Sequence, residues 1–395
     1  MPVSGPFILT INGGSSSIKF AVFDTADPPV RRFSGQVKRI GQPGTQLISK
    51  DDGDSAPSVR QVDASDHRQA AAIIIQHLRD CLGNSPITAI GHRVVHGGLH
   101  LLEHQLIAPQ VIAELRKAEP LDLAHLPREI ALIEAFHQAF PTLPQVACFD
   151  TAFHRNMPRV ATMLPIPRHY FDAGIRRFGF HGLSYQYLMQ RLASIAGADA
   201  ANGRLILAHL GSGASMAAVS GGKPIDTTMA FTPTAGLVMG TRPGDLDPGL
   251  LVYLMRTESM TPDQMDDFIS RRCGLLAISE TTSDMRDLLD HRATDPRAAE
   301  AVDIFCYQAR KFVGALAAAM GGLDTLVFAG GIGEHAPEVR AGICEGLEHL
   351  GLSLDSDLNS TGADIVSRSK SRITARVIAT DEEFIIAETV RSRLH

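Results

Sequence analysis

Three short glycine-rich segments have the composition of phosphate-binding turns. They are Asn12–Lys19 (NGGSSSIK), His209–Ser215 (HLGSGAS) and Val327–Glu334 (VFAGGIGE). Glycine lets a backbone approach an anion closely, hydroxyl groups donate hydrogen bonds, and Lys19 adds a positive charge. The first segment lacks the GxxxxGK[ST] spacing of a P-loop. Each segment alone is also typical of an ordinary tight turn, but three of them at the ends of apolar runs favour a nucleotide site.

Two arginines have positions suited to anionic groups. Arg242 is flanked by glycine and proline in MGTRPGDLDP, and a guanidinium held in a rigid turn can bind carboxylate or phosphate through parallel hydrogen bonds. An ion pair with Asp245 or Asp247 is the alternative use of Arg242. Arg93 comes at the end of a predicted strand in GHRVVHGG, where ligand-binding side chains are common in α/β folds.

An aspartate and a histidine occupy similar positions. Asp150 follows the apolar run Gln145–Phe149, and His181 lies in the glycine-bounded turn FGFHG. The histidines show no paired spacing typical of a zinc site. His92 and His96 are interpreted as ordinary core or surface histidines.

The elements that must position these side chains follow from apolar patterning. Strands 7–12 and 18–24 flank the first glycine-rich turn, and strands 204–209 and 215–219 flank the second, which predicts two related halves. Further strands are predicted at 87–95, 145–149, 325–329 and 372–378, and helices at about 66–82, 107–118, 127–139, 184–196, 248–255, 262–271, 296–320, 337–350 and from 381 onward. Residues 41–65 are expected to form turns or a weak hairpin, and 151–180 to be rich in loops. The mixture predicts an α/β protein in layered domains.

Length and composition narrow the class of protein. The 395 residues suffice for two domains, and the net charge of −6 gives no general attraction to nucleic acid or anionic membranes. No apolar run reaches the ~20 residues of a membrane span, and the N-terminus does not resemble a secretion signal. The five cysteines are widely spaced without a CxxC pair, as in reduced intracellular proteins. A cytoplasmic protein that binds neither membrane nor nucleic acid is expected.

The motifs NGGSSSIKF, GHRVVHGG, FDTAFH, FGFHGLSY, HLGSGAS, MGTRPGDLDP, FAGGIGE and TDEE, in this order, resemble those of the acetate kinase family, which contains acetate and propionate kinases. The resemblance runs from Leu9 to about Glu383. It implies an α/β fold of two actin-like (ribonuclease H-like) domains with an ATP cleft between them. Residues 1–152 plus 385–395 would form the N-terminal domain on the acyl-substrate side, and residues 153–384 the C-terminal domain on the nucleotide side. The resemblance also implies ATP as co-substrate, Mg²⁺ or Mn²⁺, and a homodimer.

The same resemblance assigns roles to individual residues. Arg93 and Arg242 would bind the acyl carboxylate and the transferring phosphoryl group. Asp150 would lie at the reacting centre, and His181 would steady the phosphoryl oxygens. The acyl pocket would contain Arg93, Val95, Ala124, Phe180 and Pro233. The ATP-binding residues would be Lys19, His209, Gly211, Gly213, Asp284, Met285, Arg286, Gly330, Gly331, Ile332 and Gly333. Asn12 and Glu382 would serve the metal, with Ser15 and Ser17 on the same phosphate and metal side.

The implied reaction agrees with these residue types. A small carboxylic acid has a pKa near the ~4.3 of glutamic acid and is ionised at pH 7, so its oxygen needs no general base. The reaction needs charge cancellation instead, because an anion must approach a polyanion. Asp150 is therefore predicted to orient other groups or the metal and not to remove a proton.

Several positions depart from the family pattern. Ser212 and Leu126 replace asparagines that are usual there, and Pro243 replaces a common serine. Ala124 replaces a common leucine, which predicts a roomier acyl pocket and appreciable use of propionate. The alternative functions are therefore a propionate kinase or, in a different class, an actin- or chaperone-like ATPase with a conformational output. Such an ATPase would have no use for Arg93 and Arg242 at the positions that bind the acyl carboxylate in the family.

Overall fold

The computed structural model describes residues 5–14, 16–51, 56–83 and 86–394. The chain divides into two compact units: unit 1 comprises the chain up to Ala152 together with the segment from Asp381 onward, and unit 2 comprises Phe153–Thr380. Residues 381–384 thus belong to unit 1 and not to the C-terminal domain, four residues earlier than the predicted boundary. The reason is that the last helix begins at Glu382 and packs as one element on the sheet of unit 1.

The strands form one sheet in each unit. In unit 1 they are β1 (Phe7–Gly13), β2 (Ser17–Asp24), β3 (Arg31–Lys38), β4 (Gln46–Asp51), β5 (Ser58–Gln61), β6 (Ile87–Val94), β7 (Gln105–Leu106) and β8 (Gln145–Phe149). In unit 2 they are β9 (Arg204–Leu210), β10 (Ala214–Ser220), β11 (Lys223–Thr227), β12 (Thr325–Ala329) and β13 (Thr374–Val377).

The two sheets share the same order of their five central strands. Their described strands lie in the orders β5-β4-β3-β2-β1-β6-β8-β7 and β11-β10-β9-β12-β13. In each, an antiparallel run (β3-β2-β1 or β11-β10-β9) continues into two parallel strands (β6-β8 or β12-β13). The repeated strand–turn–strand pattern in the sequence reflects this shared arrangement. In each sheet, the carboxyl ends of the parallel strands lie at one edge, where ligand sites form in α/β proteins.

Helices cover the sheets and connect their strands. They are α1 (His67–Leu82), α2 (Pro109–Ala118), α3 (Leu126–Ala139), α4 (Arg159–Thr162), α5 (Arg168–Asp172), α6 (Gly182–Ala196), α7 (Ala198–Ala201), α8 (Pro248–Thr257), α9 (Pro262–Arg271), α10 (Gly274–Ser279), α11 (Met285–His291), α12 (Pro296–Met320), α13 (Gly330–His335), α14 (Pro337–Cys344), α15 (Ser356–Thr361) and α16 (Glu382–Leu394), with 3₁₀ turns at Glu119–Leu121, Ala152–Asn156 and Glu348–Leu350. None of the described helices is both long and apolar enough to cross a membrane.

Unit 1 is a sheet between two helical layers. Ile74 of α1 and Phe136 of α3 pack in one hydrophobic cluster with the apolar side chains of β1 and β2. Each large side chain buried in this way contributes about 1.5–3 kcal/mol relative to exposure. On the other face, α16 approaches β6 so closely that a Cβ on Gly91 would lie 2.3 Å from Cγ2 of Ile386 and 2.7 Å from Cγ2 of Val390. Glycine at position 91 therefore allows α16 to pack directly on the strand that carries Arg93.

Unit 2 is built around the long helix α12. Asp295 caps it by accepting a hydrogen bond from the backbone N–H of Arg297, and Gly321 ends it in a left-handed conformation with φ of 71°. Its buried stripe includes Phe305, Ala309 and Val313, whose spacing of four residues places them on one face. The helix packs on β9, β10 and β11.

The predicted elements differ from the structure in a few places. The weak hairpin within 41–65 is β4 and β5, whereas β3, β7 and β11 and the short helices α4, α5, α7, α10, α11 and α15 were not predicted. β3 and β11 are the third strands of their antiparallel runs, and their mixed exposure hides the alternation of a strand. The helix predicted at 337–350 ends at Cys344, because Glu345 leaves the helical region and Gly346 has φ of 77°.

Candidate active site

The first cluster of predicted site residues lies in unit 1 around Arg93, near the end of β6. Its guanidinium forms a bidentate ion pair with Asp150, the residue after β8. Nη2 lies 2.6 Å from Oδ2, and Nε lies 3.2 Å from each carboxylate oxygen. β6 and β8 are parallel neighbours with Arg93 opposite Cys148, so both side chains emerge at the same edge of the sheet. The sheet register thereby joins two residues 57 positions apart.

This ion pair is largely removed from water. Asp150 is fully buried, and 14% of the Arg93 side chain is exposed. Burial raises the pKa of Asp150, while the Arg93 guanidinium opposes the rise by favouring the carboxylate. Burial alone would lower the pKa of Arg93, but the carboxylates of Asp150 and Glu382 raise it by more. The guanidinium is therefore charged and held in one orientation by the protein itself.

Asn12 and Glu382 meet beside Arg93. The side-chain amide of Asn12 donates to the carboxylates of Glu382 (2.9 Å) and Glu383 (3.1 Å) at the start of α16. The Arg93 guanidinium lies 3.4 Å from Oδ1 of Asn12 and 3.8 Å from Oε2 of Glu382. No group of three or more His, Cys, Asp or Glu side chains able to hold a metal occurs among the described residues. A few oxygen donors suit Mg²⁺, which binds one or two carboxylates and takes its other ligands from water and phosphate, so these residues fit that ion.

Lys19 lies opposite Asn12 in the β1–β2 hairpin. Together with Glu383 it lines a pocket of about 290 Å³ in unit 1. Burial raises the pKa of Glu383, and the charge of Lys19 opposes this rise. Ser17 begins β2, whereas Ser15 lies outside the described residues.

Two predicted acyl-pocket residues, Val95 and Ala124, belong to unit 1. Val95 follows β6 and is buried, and Ala124 is half-buried in the loop before α3. The backbone N–H of Val95 donates to the carboxyl group of Glu129 in α3, at 3.2 Å from Oε1 and 3.0 Å from Oε2. A buried glutamate therefore supports the end of the strand that carries Arg93.

The second cluster lies in unit 2 and begins with His181, the N-cap of α6. Its φ of 58° is a left-handed conformation that costs a non-glycine residue about 1–2 kcal/mol. Nδ1 lies 2.8 Å from the hydroxyl of Ser215, which also shares a hydrogen bond with Tyr185. Strained backbone conformations cluster at active sites and ligand-binding positions, which agrees with the predicted role of His181.

His209 stacks on His181, with ring centroids 4.4 Å apart and planes inclined by 25°. Nδ1 of His209 lies 2.8 Å from the hydroxyl of Ser184, which in turn contacts the Thr380 hydroxyl at 2.7 Å. Both imidazoles are thus oriented through Nδ1 by hydroxyl groups of the same unit.

Arg242 lies beside the histidine pair. Its Nη1 donates to the carbonyl of Pro233 at 2.7 Å, which links it to another predicted acyl-pocket residue. A Cβ on Gly213 would lie 2.7 Å from Nη2 of Arg242 and 3.2 Å from Nε2 of His181. A side chain at position 213 would therefore displace the Arg242 guanidinium or the His181 ring, because both lie over the backbone of Gly213.

The neighbours of Arg242 have contacts of their own. Asp245, one of the alternative partners considered for Arg242, accepts a hydrogen bond from the Gly236 N–H at 2.8 Å. Asp247, the other, caps α8. Phe180, the last predicted acyl-pocket residue, is buried, and its carbonyl lies 3.0 Å from Nε2 of His154.

The third glycine-rich turn opens α13. Gly330 has φ of 76°, and a Cβ there would lie 2.7 Å from the carbonyl oxygen of Leu210 at the end of β9. The Gly330 N–H donates to Oε1 of Glu334 at 2.8 Å, and the same oxygen accepts from the Thr380 N–H at 3.2 Å. Parallel pairing of β9 with β12 thus brings the second and third predicted phosphate-binding turns side by side.

The predicted adenine-side residues form the start of α11. Asp284 caps the helix by accepting from the Arg286 N–H at 2.9 Å and pairs with its guanidinium at 2.6 Å. Met285 is buried, whereas the Arg286 side chain is exposed. The Cβ of Ser283 lies 3.4 Å from the Cβ position of Gly240, so this segment adjoins the turn that carries the second arginine.

The side chains that orient the predicted site residues were not themselves predicted. Ser184, Ser215 and Glu334 occur inside the motifs FGFHGLSY, HLGSGAS and FAGGIGE, but a motif does not show which of its members bonds to which. Glu129 is an acidic residue among the apolar positions of α3, which is the one signal the sequence offered.

The chain is similar to known proteins both in sequence and in structure. Residues 7–388 match the model of the Acetokinase family. The chain is 42% identical over 388 residues to an acetate kinase of Rhodopseudomonas palustris, with 97% of each protein covered. The crystal structure of Porphyromonas gingivalis acetate kinase superimposes with a TM-score of 0.87 at 35% identity, covering 99% of this chain and 100% of that one. A propionate kinase structure from Francisella tularensis has a TM-score of 0.91 at 34% identity, covering 98% and 99% of the two chains.

Proposed function

Because the chain belongs to the Acetokinase family, we propose that it reversibly transfers the γ-phosphoryl group of ATP to acetate, giving acetyl phosphate and ADP. The observation that carries the proposal is that each unit holds an arginine in a fixed orientation. Asp150 holds Arg93 in unit 1, and the Pro233 carbonyl holds Arg242 in unit 2. Phosphoryl transfer to a carboxylate depends on positioning and on charge stabilisation, and oriented guanidinium groups supply both.

The residues then have distinct roles in the proposed reaction. Arg93 and Arg242 bind the carboxylate and the phosphoryl group, and Asp150 keeps Arg93 in place without removing a proton. His181, held by Ser215, stabilises the charge that develops on the phosphoryl oxygens. Mg²⁺, or Mn²⁺ in its place, neutralises part of the phosphate charge when bound, and Asn12 and Glu382 are the residues that would hold it.

The nucleotide is assigned to the glycine-rich turns. Lys19 and His209 contribute charge and hydrogen-bonding capacity to the phosphates, and the turns at 211–213 and 330–333 allow close backbone approach. Asp284, Met285 and Arg286 are assigned to the adenine side. We further propose a homodimer, as the family resemblance implies, and a cytoplasmic location that agrees with the free cysteines. Light scattering on the purified protein measures the molar mass directly.

Acetyl phosphate formation is the direct test of this function. The purified protein, given MgATP and acetate, is expected to form acetyl hydroxamate when hydroxylamine traps the acyl phosphate. Arg242→Ala is expected to lower the rate by at least about 10²-fold, because a donor aimed at developing charge is lost.

The matched control is Arg271→Ala, whose side chain is 58% exposed in α9, and it is expected to retain the parental rate. ATP hydrolysis without any hydroxamate would replace the proposal with the conformational ATPase.

Alanine at position 124, which is assigned to the acyl pocket, predicts use of a longer substrate. The kcat/KM for propionate is expected to exceed about one hundredth of the value for acetate, because a single methylene changes discrimination by roughly 10–200-fold. Ala124→Leu is expected to lower the propionate-to-acetate ratio by about tenfold, since it fills the space that the methylene occupies. Steady-state kinetics with both acids measure the ratio, and a ratio below one hundredth in the parent enzyme would contradict the prediction.

A further inference from the structure

Glu129 is a buried carboxyl group beside the site that is not among the residues assigned to substrate, nucleotide or metal. It lies in the first turn of α3 and is 3% exposed. Both of its carboxyl oxygens lie within 3.2 Å of the backbone nitrogen of Val95. Glutamate is rarely buried to this extent unless it is paired, so this contact needs an explanation.

The contact lies where β6 ends and the site begins. The carbonyl of Val94 accepts a hydrogen bond from the Asp150 N–H at 3.0 Å, which joins the last residue of β6 to the residue after β8. One residue further on, the N–H of Val95 donates a hydrogen bond to Glu129. A buried N–H without a partner would cost about as much as a lost hydrogen bond, and the Glu129 carboxyl supplies that partner from a different element.

Val95 and Arg93 are coupled through the backbone at the end of β6. Arg93 is the penultimate residue of the strand, and Val95 directly follows its last residue, Val94. A shift of the Val95 backbone therefore also moves the end of the strand that carries the Arg93 guanidinium. Both residues are assigned to the acyl substrate, whereas the nucleotide residues lie on other elements.

The charges around Glu129 belong to the same site. Arg93 from β6, Asp150 from the end of β8 and Asp122 from the loop before α3 all interact with it electrostatically. Burial is the main reason why the pKa of Glu129 rises to about 8, with the positive charge of Arg93 opposing the rise. Glu129 also borders a space too narrow to hold a water molecule, together with His67 of α1, His125 and Arg128.

We propose that Glu129 is a positioning residue for the acyl substrate, which holds Val95 through its backbone and thereby sets the position of the Arg93 guanidinium. This rests on the proposed function. Glu129 does not touch the substrate and acts only through Val95 and Arg93. Its loss consequently affects acetate binding and leaves ATP binding unchanged.

Three variants separate positioning from simple stability. Glu129→Ala removes the acceptor, and the KM for acetate is expected to rise by about tenfold or more, because a buried N–H loses its partner. The KM for ATP is expected to stay within about twofold of the parental value, because the glycine-rich turns assigned to the nucleotide do not contact Glu129 or Val95 in any of the hydrogen bonds described above. Glu129→Gln keeps a carbonyl acceptor for Val95 in nearly the same volume and is expected to retain a KM for acetate within about threefold of the parent. Glu134→Gln, in a partly exposed glutamate of the same helix that pairs with Arg116, is the control and is expected to keep the parental acetate kinetics.

The pH dependence gives a second readout. Above about pH 8 the parent carboxyl is ionised and adds a negative charge beside Arg93 and Asp150, so the KM for acetate is expected to rise between pH 7 and pH 9. This rise should be absent in Glu129→Gln, which cannot ionise and which also tests the proposal if the alanine variant fails to fold. The proposal is overturned if the acetate KM of the folded variants and its pH profile match the parent while only the melting temperature falls. Failure of the parent to form acetyl hydroxamate would instead refute the proposed function.

Discussion

Replacing Arg93 with alanine is expected to lower kcat/KM for acetate by about 10³-fold and to destabilise the protein by about 3–5 kcal/mol. The loss of activity follows because the proposed carboxylate ligand disappears. The loss of stability follows because Asp150 is fully buried, and its carboxylate would lose the bidentate partner that offsets its removal from water. Urea unfolding and steady-state kinetics measure the two effects separately.

A second substitution distinguishes the two effects. In Arg93→Ala/Asp150→Asn the uncompensated charge is removed, so most of the lost stability is expected to return while the activity stays low. Arg116→Ala is the control for the ion-pair argument. The Arg116 side chain pairs with Glu134 but is 60% exposed, so its loss should change the free energy of unfolding by no more than about 1 kcal/mol. An Arg93→Ala protein with parental stability and parental acetate kinetics would contradict both the ion-pair argument and the assignment of Arg93.

Replacing Gly274 with alanine is expected to have the second largest effect. Gly274 has φ of 65°, and an added Cβ would lie 2.1 Å from the carbonyl oxygen of Met239 and 2.7 Å from that of Arg242. These are backbone atoms, which cannot move unless the whole turn that carries Arg242 moves. The left-handed conformation and the overpacking together predict a destabilisation of about 2–5 kcal/mol. A shift of the guanidinium by about 1 Å would lower kcat by roughly 10²-fold.

The helix α12 offers a matched glycine. A Cβ on Gly314 would have no atom within 4 Å, so Gly314→Ala is expected to be neutral or to stabilise the helix by up to about 1 kcal/mol. Thermal unfolding and acetate kinetics of both variants provide the comparison. If Gly274→Ala kept the parental melting temperature and kcat, the turn would not depend on this glycine.

Much of the local structure could be predicted from the sequence. Apolar periodicity located β1, β2, β9, β10 and most of the helices, because the repeat of side chains along a strand or helix is a local property. The repetition of strand, turn and strand indicated two halves, and both sheets have the same central order. The acetate kinase motifs identified the family, and the match over residues 7–388 confirms it.

The contacts that join the site were decided only by the tertiary structure. Asn12 meets Glu382 across 370 positions, and Arg93 meets Asp150 through the pairing of two parallel strands. No local pattern encodes such distances, because they result from sheet order and from how closely α16 packs on Gly91. The role of Glu129 was hidden for the same reason, since a single buried carboxyl finds its partner only when α3 is placed against the end of β6. The sequence therefore determined which residues are available for the chemistry, and the packing of distant elements determined which of them act together.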